Sequence, residues 1–60
     1  MEERWFIKVG NCYVEFVGLW HEVKMRSDYK KATPFLTQKE AEAEANNRRV
    51  RNFKAVKKML

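Results

Sequence analysis

Arg48, Arg49, Arg51, Lys54, Lys57 and Lys58 place six cations in residues 48–60, with no acidic residue among them. A run of this type can neutralise phosphates, releasing the counterions condensed on a nucleic-acid backbone. Phe53 lies inside the run, and Tyr13 or Trp20 could offer a plane on which a base stacks. Residues 1–47 carry seven Lys/Arg against eight Asp/Glu, so the whole formal excess of +5 resides in the C-terminal run. The same cations have a structural use: at a helix C-terminus they complement the macrodipole, and on an edge strand they discourage strand addition.

Other chemistry has little to stand on. The chain has one Cys and one His, Cys12 and His21, and no Gly-rich phosphate loop. As nucleophile and base they would need an orienting acid, and with each on a strand of the expected sheet none is evident. As zinc ligands they fall short of four. Glu40, Glu42 and Glu44 read as a solvated helix face, because nothing near them resembles the carboxylate and carbonyl loop of a calcium site. A non-enzymatic protein without metal or cofactor is expected.

At 60 residues the chain forms one small domain, whose core must do without a disulfide or a zinc. The first element is a β-hairpin, since Gly10-Asn11 separates two alternating runs and a Gly-first pair suits a type II′ turn. That turn sets Val9 opposite Cys12, Ile7 opposite Val14 and Trp5 opposite Phe16 on one apolar face. Lys8 with Tyr13 and Phe6 with Glu15 occupy the other. After Gly18 the alternation resumes over Leu19–Arg26, with Leu19, Val23 and Met25 inward and Trp20, Glu22, Lys24 and Arg26 outward. Residues 32–36 are a short extended piece whose Pro34 belongs at an edge.

Thr37-Gln38-Lys39-Glu40 is a capping box that opens a helix, with Ala41 and Ala45 on one face. The remainder of the chain is compatible with two endings. Val50, Phe53, Val56, Met59 and Leu60 share half of a helical wheel, which would extend the helix to the end. Alternatively Asn52 takes the left-handed position after the helix and residues 53–59 return as a strand. Periodicity alone mildly favours the helix. The expected fold is α+β: a small antiparallel sheet of three to four strands with one helix on the hairpin's apolar face, buried through Ala41, Ala45, Phe35 and Val56.

The stretches WFIKVGNCYVEFV, KKATPFLTQKEAEAEA and FKAVKKM together resemble a loose group of short proteins encoded by phages and prophages of Gram-positive bacteria. The resemblance implies a hairpin, a capped helix and a last short strand, and a role as a small accessory factor acting on a host or defence component. The Gly that usually parts helix from strand in that group is Asn52 here. No activity is implied by these structural motifs.

Two partner classes are compatible with these features. In the first, Arg48, Arg49, Arg51, Lys54, Lys57 and Lys58 contact DNA or RNA, or a nucleic-acid-bound protein. In the second, Trp20, Phe6 and Tyr13, outward on the sheet, form a patch for a host or defence protein such as an RNA-guided nuclease, or for a second copy of the chain. A DNA mimic is excluded by the basic charge. No apolar run approaches the roughly 18 residues of a membrane span, and Met1-Glu2-Glu3-Arg4 has the wrong charge for a secretory signal. The expected location is the cytoplasm, that of the host cell if phage-encoded, which suits a lone thiol.

Overall fold

The computed structural model describes residues 2–18 and 22–60. Four strands, β1 (Glu3–Val9), β2 (Cys12–Phe16), β3 (Val23–Arg26) and β4 (Phe53–Met59), form one antiparallel sheet in the order β3-β2-β1-β4. One helix, α1 (Gln38–Asn47), packs on a single face of it. The fold is therefore the α+β arrangement expected from the sequence, with the C-terminal segment returning as a strand.

The hairpin turn is where the Gly-first pair puts it. Gly10 has φ +60, and Val9 pairs with Cys12 and Lys8 with Tyr13. Past those two pairs the expected ladder changes, because the segment around Pro34 enters between the strands. The Trp5 amide donates to the Phe35 carbonyl at 2.7 Å and the Phe35 amide to the Trp5 carbonyl at 2.8 Å. With that carbonyl taken, the Phe16 amide donates to the Thr33 hydroxyl at 2.9 Å, and the Thr33 amide donates to Val14 at 3.4 Å. The Trp5–Phe16 pairing read from the turn is thus replaced by a Trp5–Phe35 bridge. The inserted segment in this way supplies hydrogen-bond partners to backbone groups that the parting strands release, as burial requires.

Strand β4 runs along β1 from Glu3↔Met59 to Val9↔Phe53. Alternation then assigns the faces. Ile7, Val14, Ala41 and Ala45 are fully buried between sheet and helix, with Trp5, Val9, Phe16, Val23, Phe35, Val50, Phe53 and Ala55 around them. Alanine at 41 and 45 lets the helix axis approach the sheet closely. Val56 pairs with Phe6 on the opposite face, so it does not contribute to helix burial as expected. Met25 shares the helix side but is 51% exposed on the edge strand β3, whose Val23 alone joins the core. Leu19, Trp20 and His21, assigned to this strand by the alternation, lie outside the described residues.

Both helix ends are set by local chemistry. The Glu40 amide donates to the Thr37 hydroxyl at 3.1 Å, the N-cap half of a capping box, and that hydroxyl in turn donates to the Glu40 carboxylate at 3.3 Å. At the other end Arg49 has φ 58, its amide donates to Asn46, and the Val50 amide donates to Ala45 at 2.9 Å. This is a Schellman ending with Arg49 at the left-handed position and Val50 returning to the core. Asn52 is also left-handed at φ 58, but it turns the chain into β4 rather than ending the helix.

Candidate functional site

The sheet face away from the helix is built by the even residues of β1 and β4 and by the residues that pair with them. Register sets Arg4 beside Lys58, Phe6 beside Val56 and Lys8 beside Lys54. Across β2 and β3 it sets Tyr13 beside Arg26 and Glu15 beside Lys24. A 3₁₀ turn at Tyr29–Lys31 lays Tyr29 over the middle of this face. The turn is fixed by Asp28, whose carboxylate accepts from the Lys30 amide at 3.0 Å.

Tyr29 explains why Phe6 is not a surface aromatic. Its ring meets Phe6 edge-on at 5.4 Å and Tyr13 at 5.9 Å, and its hydroxyl donates to the Met59 carbonyl at 3.0 Å. Phe6 is 1% exposed beneath it, so it is a core residue of a second, smaller cluster and not a partner contact. Tyr13 remains half-buried, with its ring under the Lys8 ammonium at 5.5 Å. Trp20, the third aromatic of the expected patch, lies outside the described residues.

The six C-terminal cations are not brought to one place. Arg48 is a structural clamp: its guanidinium donates to the carbonyls of Val17 at 2.8 Å, Gly18 at 2.9 Å and Glu22 at 3.2 Å. It also faces the Glu44 carboxylate at 3.7 Å and lies over the Phe16 ring at 5.5 Å. A fork so committed has no geometry left for a phosphate. Lys57 is on the helix side, 3.1 Å from Glu3 and over the Trp5 ring at 5.7 Å. Arg49 and Arg51 are exposed in the link between α1 and β4. Of the six, Lys54 and Lys58 alone are on the sheet face away from the helix.

That face draws its remaining charge from elsewhere in the chain. From the strands and their flanks Arg4, Lys8, Lys24, Arg26, Lys54 and Lys58 meet Glu2 and Glu15 there, and the 3₁₀ turn over the face adds Asp28, Lys30 and Lys31. Glu15 accepts from Arg26 at 2.8 Å and Glu2 lies 3.3 Å from Arg4. Lys58 stands over Tyr29 at 5.6 Å. Sequence reasoning placed Lys8 beside Tyr13, but it missed the grouping because β1 and β4 are far apart in the chain.

Among the described residues no group of three or more His, Cys, Asp or Glu is disposed to hold a metal ion, and no helix is long and apolar enough to cross a membrane. A shallow depression lined by Phe35, Glu40, Ala43, Glu44 and Asn47 flanks the helix. Its two carboxylates lie on the side of the molecule away from the basic face. No protein-family model, curated protein or solved structure matches the chain, so its function rests on its own residues.

Proposed function

We propose that the chain is a small non-enzymatic binding protein whose basic sheet face contacts the phosphates of a nucleic acid. The observation that carries this reading is the pairing of like charges across neighbouring strands, Arg4 with Lys58 and Lys8 with Lys54, on one face around Tyr13 and Tyr29. Like charges placed directly opposite destabilise a sheet. A polyanion laid along β1 and β4 relieves that repulsion, whereas a neutral or cationic partner does not. Half-buried tyrosines between the cations provide apolar surface for sugar or base.

The likeness of the three quoted stretches to short phage and prophage proteins supports the role of an accessory factor that acts on a host or defence component through the nucleic acid it holds. Burial of Phe6 takes away one of the three aromatics on which a purely protein-binding reading depended. Anisotropy of labelled single-stranded and duplex oligonucleotides at about 50 mM salt tests the proposal. Binding that weakens linearly on a log–log salt plot supports it. Absence of binding to either oligonucleotide contradicts it.

A further inference from the structure

We infer that the depression between Lys8 and Lys54, at the hairpin end of the basic face, is the seat of one phosphoryl group. The inference deepens the nucleic-acid-binding proposal and rests on it, so that group belongs to the bound strand. The two lysines are directly opposed across β1 and β4. Trp5 commits both backbone groups to Phe35, and the Leu60 amide donates to Glu2 at 2.8 Å, so the even residues of β1 are the ones that bond β4. Lys8 and Lys54 are therefore a hydrogen-bonded pair, with Cα atoms about 5.5 Å apart and side chains leaving the sheet together.

The second like-charge pair shows what is missing at the first. Arg4 has Glu2 at 3.3 Å, and Lys58 has the face of Tyr29. Lys8 has the Tyr13 ring at 5.5 Å and no carboxylate, while Lys54 has neither ion pair nor ring contact among the described residues. Between them lies a depression of ≈ 200 Å³ lined by Lys8, Gly10, Asn52 and Lys54. A water takes up about 30 Å³ of liquid, so a tetrahedral phosphoryl group fits. The lining holds two ammonium groups, a carboxamide and a glycine, with no acidic side chain to repel an anion. Lysine serves such a site as a point charge that needs no fixed fork.

The test compares Lys8→Gln/Lys54→Gln with a control of equal charge loss, Lys30→Gln/Lys31→Gln on the 3₁₀ turn. Melting is measured first: removing the Lys8–Lys54 repulsion should leave the pocket variant folded with a melting temperature at or above the parent's. Single-stranded oligonucleotide affinity is then measured against salt. The seat predicts that the pocket variant loses about 0.7 from the magnitude of the log–log slope for each phosphate contact removed, and the control loses less. Equal losses in the two variants overturn the seat while leaving nucleic-acid binding standing. If neither the parent nor any variant binds oligonucleotide, the functional reading fails, and inorganic phosphate at constant ionic strength decides the seat. Saturable amide shifts at Gly10 and Asn52 then keep it, with free phosphate as its source, and an unchanged spectrum overturns it.

Discussion

Arg48 and Arg49 are neighbours in the most basic stretch of the chain, yet each is used in a different way. Arg48 ties the end of α1 to the chain between β2 and β3 through three carbonyls. Hydrogen bonds from a charged donor contribute roughly 1.5 to 3 kcal/mol, so Arg48→Ala should lower stability by about 2 to 3 kcal/mol in denaturant unfolding. Arg48→Lys should recover little of that, since one ammonium cannot span Val17, Gly18 and Glu22. Oligonucleotide affinity of whichever variant remains folded should match the parent's, which separates the clamp from the binding face. Arg49 holds a left-handed conformation that costs an L-residue about 1 to 2 kcal/mol. Arg49→Gly should therefore raise stability by about 0.5 to 1 kcal/mol after the greater chain entropy of glycine is counted. Calorimetry would register this as a rise of several degrees in a chain this small.

At the scale of elements, the parts legible in the sequence are those set by neighbours in the chain. The Gly10-Asn11 turn, the alternation of β1 and β2 and the Thr37–Glu40 cap depend on residues a few positions apart, and all three are present. The left-handed residue at Asn52 was legible too, since Asn tolerates that region, but the helix ends at Asn47 and the left-handed residue that follows it is Arg49. The insertion of Thr33–Phe35 between β1 and β2 was not legible. It depends on a backbone exchange between Trp5 and Phe35 that no local pattern encodes. The same holds for the basic face: the C-terminal run drew attention because its cations are consecutive, whereas the face assembles Lys8 and Arg4 with Lys54 and Lys58 through strand register. Phe6 is outward by strand alternation, which leaves open whether it forms a partner patch or is covered by the C-terminal segment or the loop at Tyr29, and it is Tyr29 that covers it. Ile7 and Val14 were legible as core, and both are fully buried. Ile7→Ala should cost roughly 2 to 5 kcal/mol, enough to abolish a cooperative thermal transition in so small a domain. A sharp transition near the parent's would contradict the core assignment.

For the molecule as a whole, charge is segregated by face more than by position in the chain. The helix presents Glu40, Glu42 and Glu44 on one side, and the sheet presents Arg4, Lys8, Lys24, Lys54 and Lys58 on the other. A protein so polarised should approach a polyanion in one orientation, with a strong dependence on ionic strength. Removing Lys54 and Lys58 together should weaken oligonucleotide binding more than removing Arg49 and Arg51, although both pairs belong to the same basic stretch and carry the same charge. The comparison is made by titrating Lys54→Gln/Lys58→Gln and Arg49→Gln/Arg51→Gln side by side at one salt concentration. The most direct measurement is a map of backbone amide shifts during titration with a single-stranded oligonucleotide. Changes concentrated at Arg4, Lys8, Tyr13, Lys54 and Lys58, with residues 38–47 unmoved, are the predicted result. Changes centred on the helix, or no change on the sheet face while the oligonucleotide is bound, would contradict it.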